Sequence, residues 1–422
     1  MSTRQPTALA AALTAGALLA TLAACGGGTG AADGDSRTLT LASFDQGSVE
    51  DVVEAFEKAN PGVTVRYTTS GADQYQQQIR TKLASGTAPD VMSVWPGDGN
   101  PGATRVLAEP GYLMDLSGRP WAAQYPPAIK SLAQYEGKTY NAIFGQNGIG
   151  AVYNQDALDE AGLTPPGTWS ELLTFCEAAA ARGTPAFALG NQDNWVTQIA
   201  LYALVATTVY GPDRDFDAKM RSGRAAFADS PWTTAMAKYQ QMDKTGCFQK
   251  NPLGTSYEAS QSLAATGKTL GIIQGNWVIA LLKAKNPDGR FTLKVLPATD
   301  DADTFLMPAA AGGGYGVNAR TKNKELALKF VDFVMSREGM NLFVTRQGSL
   351  PTLPDTGHRA DPSLTELSGF IAADRTVPFM DQLWPNPKVQ QTMLSGLQEI
   401  FSGQSTPAQV LADMDTAYRS GT

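Results

Sequence analysis

The sequence predicts a two-lobe α/β protein in which each lobe is a mainly parallel sheet flanked by helices. Three observations carry this. Just under 400 residues remain after an N-terminal export signal, more than one ordinary core accommodates. Segments rich in β-branched residues alternate with amphipathic stretches of helical period, the pattern of strands covered on both faces by helices. Apolar residues make up 43% of the chain, and no segment after the signal holds about 18 uncharged apolar residues in a row.

The first lobe opens with a strand over residues 38–44, where apolar side chains alternate. Val49, Val52, Val53 and Phe56 recur at i, i+3, i+4 and i+7, one face of a helix that Asn60-Pro61-Gly62 stops. Residues 63–69 read as a second strand. Tyr75, Ile79 and Leu83 mark a second helix, and Val91, Met92 and Val94 a third strand. The middle of the chain is more helical. Thr168 and Glu171 form a capping box ahead of Leu172, Phe175, Cys176 and Ala179. Further helices are expected over 196–208, 233–245 and 276–284, along the stripe Ala327, Phe330, Val331 and Val334, and as one or two helices over 387–419.

The N-terminus carries a different signal. Arg4 supplies a positive charge, residues 8–20 are small or apolar, and Leu22-Ala23-Ala24-Cys25 resembles the bacterial lipobox, in which the cysteine is lipidated after cleavage. Residues 1–24 are therefore expected to be a signal peptide. Cys25 is expected to carry the lipid, and 25–36 to be a flexible polar linker. This places the protein on the extracytoplasmic face of the membrane by a lipid anchor.

Composition closes off several classes. Net charge is −7, with no basic stripe of the kind nucleic acid requires. His358 is the lone histidine, and no CxxC, HExxH, EF-hand loop or phosphate-cradling glycine loop is present, so neither metal nor cofactor is expected. Cys176 and Cys247 are left over. In an oxidising compartment such a pair joins more often than not, closing a loop of about 70 residues; two buried free thiols are the alternative.

Several fragments stand out together: Phe56-Glu57-Lys58-Ala59-Asn60-Pro61-Gly62-Val63-Thr64-Val65, Ala84-Ser85-Gly86-Thr87-Ala88-Pro89-Asp90-Val91, Gly137-Lys138-Thr139-Tyr140, Tyr153-Asn154-Gln155-Asp156, Pro166-Gly167-Thr168-Trp169, Gly275-Asn276-Trp277, Gly313-Gly314-Tyr315-Gly316 and Gly348-Ser349-Leu350-Pro351. Together they resemble the family 1 extracellular solute-binding proteins, the carbohydrate receptors of ABC importers. Their order and spacing extend over nearly the whole mature chain. The pattern departs at Tyr140-Asn141-Ala142-Ile143, where the family has Y-G-L-P. The resemblance implies a periplasmic-binding-protein-like fold with multiple hinge crossings, expected near 144–146, 309–313 and 350–355. Residues 37–144 plus 309–352 would form one lobe and 145–308 plus 353–422 the other. It also implies a carbohydrate ligand, ABC importer membrane subunits as partners, a monomer, and no enzyme.

Ligands of open α/β sheets bind beyond the carboxyl ends of strands. Those ends carry Phe44, Asp45 and Gln46 after the first strand, and Trp95 and Asp98 after the third. A sugar packs its C–H face on an aromatic ring and offers its hydroxyls to planar polar partners. On that basis Asp193, Asn194, Trp195, Asn276 and Trp277 are candidates in the second lobe, with Asn147, Gly314 and Tyr315 at crossings and Trp384 near the end. Trp95 could equally be core, Asp45 a plain helix cap, and Asp193 and Asn194 part of a turn. Two other functions remain open: a surface glycoside-cleaving enzyme using Asp45 with Asp98 or Asp193, and a sugar-sensing receptor of the same fold.

Overall fold

The structure is a computed structural model that describes residues 37–44 and 48–421. The signal 1–24, Cys25, the linker 25–36, Asp45 and Gln46 lie outside the described residues.

Two sheets organise the chain. In the first the order is Thr64–Thr69, Thr38–Ser43, Val91–Val94, Gly314–Val317, Ala142–Ile143. The first three strands are parallel, with Leu39 opposite Val65 and Leu41 opposite Val91. The helix Val49–Ala59 buries Val49, Val52, Val53 and Phe56, the face its period predicts. Phe56 meets Phe330 of the helix Lys324–Val334 edge-on, ring centroids 5.1 Å apart. Asp90, in the stretch that resembles the family's P-D-V, ties the sheet together. Its Oδ2 accepts from Thr40 N (2.8 Å) and Thr40 Oγ1 (2.7 Å), and its Oδ1 from Thr321 Oγ1. Burial alone would raise this carboxyl, yet those bonds hold it below the usual range.

The second sheet runs Thr376–Val377, Met307–Ala311, Gly145–Asn154, Gly271–Gly275, Phe187–Ala188. Phe291–Lys294 also pairs with the ten-residue strand Gly145–Asn154. The sheets are mixed, where mainly parallel ones were expected. The reason is the long strand Gly145–Asn154, which enters from the first sheet and runs antiparallel to Met307–Ala311, Gly271–Gly275 and Phe291–Lys294. Gly314–Val317 likewise lies antiparallel to Val91–Val94. A strand read locally gives no direction, because direction is set by the connection.

The three segments that pass between the sheets lie side by side. Gln146 faces both Ala311 and Leu350, and Pro351 faces Gly145. Met307–Ala311 pairs within the second sheet, so the passage itself falls at Gly312 and Gly313.

The helices around the second sheet follow the sequence signals closely. At Thr168 the hydroxyl accepts from Glu171 N at 3.2 Å, while Glu171 Oε2 accepts from Gly167 N at 2.8 Å, one residue before the expected position. Trp169 is buried there, its ring 3.8 Å from the Lys238 ammonium. Cys176, on the helix Trp169–Ala181, is bonded to Cys247, which follows the helix Trp232–Lys244.

Among the buried carboxyls of this half, two are raised. Burial pushes both Asp217 and Asp381 up to about 6, partly offset by the hydroxyls of Tyr210 and Tyr202 respectively and, for Asp217, by the charge of Arg221. Tyr210 Oη donates to Asp217 Oδ1 at 3.1 Å. With a folded pKa above the unfolded one, near 3.9, the native state holds the proton more tightly. Stability is therefore undiminished below about pH 4 and falls as pH rises toward 6. Asp217→Asn, which can still accept from Tyr210, is expected to stabilise by up to about 3 kcal/mol at pH 8 and to match the parent near pH 4. Urea unfolding at the two pH values checks this.

Candidate functional site

Partly exposed rings stand on either side of the passage between the sheets. On the first-sheet side Phe44 stacks on Trp95, with centroids 4.0 Å apart and planes inclined 20°. Tyr75 supports both rings from beneath, its buried hydroxyl donating to Ser93 O at 2.7 Å. Phe44 lies directly against Gly313; a Cβ there would come within 2.8 Å of the ring. Gly102 gives Trp95 the same clearance, also 2.8 Å. Glycine at these two positions is what lets the ring pair sit flush with the backbone.

On the second-sheet side Trp277 lies flat over Gly275, where any Cβ would collide with the indole. Phe379 meets Trp277 edge-on at 6.5 Å, and Trp195 meets Tyr257 edge-on at 4.8 Å. Asp193 Oδ2 accepts from Tyr257 N at 2.6 Å, which orients the helix Tyr257–Ala265 that bears that ring. Asn194 contributes its carbonyl to Thr197 Oγ1 at 2.6 Å, while its buried Oδ1 has no partner among the described residues.

Asn147 and Asn276 occupy the floor between. Asn276 Nδ2 donates to Asn147 Oδ1 at 3.0 Å, and Asn276 Oδ1 accepts from Gly148 N at 2.6 Å. Asn147 is 9% exposed and its Nδ2 packs on Gly312. Thus Phe44, Trp95, Asn147, Asn276 and Trp277 form one connected group through Gly312 and Gly313, with Trp195 and Asp193 linked through Tyr257.

Charge around this group is negative. Asp73, at the start of the helix Ala72–Ser85, is raised by burial and by the nearby charge of Asp193 from the other half. A donor placed between them would relieve that repulsion. Asp98 is raised by burial, opposed by Arg105 and Arg221, and lies 3.9 Å from Arg105. Its N–H donates to Gln382 O at 3.1 Å, where the backbones of Gly97 and Gly99 pack on Gln382 and Asp381. Asp98 is thus committed to an ion pair and a backbone docking contact.

Three candidates are placed elsewhere. Trp384 was expected at the ligand; it is 0% exposed and packs on Tyr202, Phe227 and Trp232. Tyr315 is 1% exposed among Phe144, Phe330 and Phe343, in the first-sheet core. Gly314 is a central strand residue against Asn141 and Ala142, where a side chain has no room. In each case a neighbouring strand or helix takes up the face that local sequence left open. Tyr257, Phe379 and Asp73 were not singled out in the sequence. Tyr257 and Asp73 sit in first turns of helices and look locally like any solvated position, and Phe379 has no flanking motif.

Half-exposed rings thus stand on both sides of a crossing, with amides and carboxylates between. The description "bacterial extracellular solute-binding protein" matches residues 51–366, and the chain belongs to that family, which acts outside the cytoplasm. A putative binding protein of Brucella abortus is 24% identical over 400 residues, covering 90% of this chain and 92% of that protein. A maltooligosaccharide ABC transporter solute-binding lipoprotein of Streptococcus pneumoniae is 28% identical over 375 residues, covering 83% and 81%. Among solved structures, a chitin oligosaccharide binding protein superimposes with a TM-score of 0.76 at 22% identity, covering 90% of this chain and 98% of that one. The protein RafE in complex with raffinose gives 0.75 at 21% identity, covering 91% and 99%. At these identities the solved structures show a shared two-lobe fold.

Proposed function

We propose that the protein captures a sugar or oligosaccharide between its two lobes and delivers it to the membrane subunits of an ABC importer, without chemical turnover. In this reading residues 37–144 with 312–352 form one lobe and 145–311 with 353–422 the other, the boundary expected at 309 moving to 312 because Met307–Ala311 pairs in the second sheet. The lipid on Cys25 holds the receptor at the extracytoplasmic membrane surface, where tethering keeps its concentration near the importer high. The observation that carries the reading is the pair of aromatic faces, Phe44–Trp95 and Trp277, on opposite sides of the Asn147–Asn276 floor. Rings accept the C–H face of a pyranose, and in this reading Asn147 Nδ2, Asp73 and Asp193 take its hydroxyls. The names of the relatives, maltooligosaccharide and raffinose receptors among them, support the same class.

A catalytic reading gains nothing from the carboxylates. Asp98 is paired with Arg105, and Asp193 already caps Tyr257 N. Titration calorimetry against a panel of mono- and oligosaccharides tests the proposal. Saturable binding with no release of reducing sugar is expected. No heat with any sugar of the panel would remove the carbohydrate class, and sustained hydrolysis would restore the enzyme reading.

A further inference from the structure

The Asn276 side chain is bonded to two separate stretches of chain and, through Asn147, reaches a third. Its Oδ1 accepts from Gly148 N on the long strand Gly145–Asn154, which fixes the amide so that Nδ2 must point the other way. That Nδ2 donates to Asn147 Oδ1 on the same strand and to Gly348 O, just ahead of the strand Leu350–Pro351. Asn147 in turn presses its Nδ2 on Gly312, at the remaining passage. The Asn276 backbone closes the figure, its N–H donating to Gly148 O at 3.0 Å. Asn276 is 0% exposed, and the next residue is the ring Trp277.

We propose that Asn276, with Asn147, is a positioning residue that fastens all three passages at the hinge and couples their geometry to the Trp277 ring. Two buried amides with their acceptors satisfied form a rigid knot, since a buried amide that loses a partner carries its full desolvation cost. Bending of the three passages relative to one another must move this knot, and the knot carries the backbone of Trp277. A ligand that seats on Trp277 therefore biases the hinge through one peptide link. The ligand arm of this inference rests on the sugar-binding reading; the hinge arm does not.

The test is Asn276→Asp, which keeps size and the acceptor for Gly148 N but turns a carboxylate oxygen toward Gly348 O. Spin labels on cysteines introduced at the exposed positions Glu54 and Lys268 report the interlobe distance by pulsed electron resonance in ligand-free protein. In Asn276→Asp the distance distribution is expected to broaden and shift, and any sugar bound by the parent should bind roughly three- to thirtyfold more weakly. Asn147→Ala, which removes one arm of the knot, is expected to shift the distribution less, and decides the matter should Asn276→Asp not fold. Trp277→Ala is expected to leave the ligand-free distribution in place. A merely structural role would lower the unfolding temperature and leave the distances alone; an unchanged distribution in a folded variant overturns the proposal. Should the parent bind no sugar, the ligand-free comparison still decides the hinge arm.

Discussion

Replacing Trp277 by alanine is expected to weaken sugar binding by about 2 to 4 kcal/mol, at least thirtyfold in Kd. The ring is half-buried, held flat by the absence of a side chain at Gly275 and braced by Phe379. A pre-set ring loses little conformational freedom when a sugar stacks on it, so its contribution to affinity is large. Trp277→Phe keeps an aromatic face of smaller area and is expected to recover part of the affinity. Because Trp277 also packs against the second-sheet core, unfolding is measured alongside. An affinity loss in protein with an intact unfolding transition separates the ligand contact from the packing.

The second large effect concerns the bond between Cys176 and Cys247. Its sequence separation is 71, and in the chain-entropy description a loop of that length stabilises by about 4 kcal/mol. Both cysteines are buried, Cys176 on the helix Trp169–Ala181 and Cys247 beside the strand Phe187–Ala188, whose Phe187 N donates to Cys247 O at 2.8 Å. The double variant Cys176→Ala with Cys247→Ala is expected to unfold roughly 5 to 10 °C lower, with the loss concentrated in the second-sheet half. Calorimetry of parent and variant, with and without reductant, checks this. Reductant should shift the parent's transition and leave the variant's in place.

Much of the fold was legible because local signals and packing agree. Val49, Val52, Val53 and Phe56 are all buried, and Thr168 caps the helix it was expected to cap. The two sheets and their crossings followed from motif order. What could not be read is what only long-range pairing decides. Strand direction in the second sheet depends on a strand arriving from the first, and the pairing of two cysteines depends on a Cα separation of 4.6 Å that spacing cannot give.

The site divided along the same line. Trp95, Trp277 and Trp384 each stand near a glycine- or proline-rich turn and look alike in sequence. Glycines at 102 and 275 hold the first two rings near the surface, whereas Tyr202, Phe227 and Trp232 enclose the third. Tyr315 sits beside the glycine passage, yet its strand turns the ring into the core against Phe144 and Phe343. Asn141, where the family pattern has glycine, is used structurally: its Nδ2 donates to Val94 O and Thr104 Oγ1, both at 3.2 Å, under Gly314.

A crystal structure of the protein grown with the tightest-binding oligosaccharide tests the central claim most directly. Sugar rings packed between the Phe44–Trp95 stack and Trp277, with hydroxyls on Asn147, Asp73 or Asp193, are the expected result. A cavity of about 580 Å³ lies elsewhere, lined by Val209, Phe216, Met220, Arg224 and Tyr418. Sugar bound there, with the rings around Gly312 and Gly313 left bare, would contradict the claim.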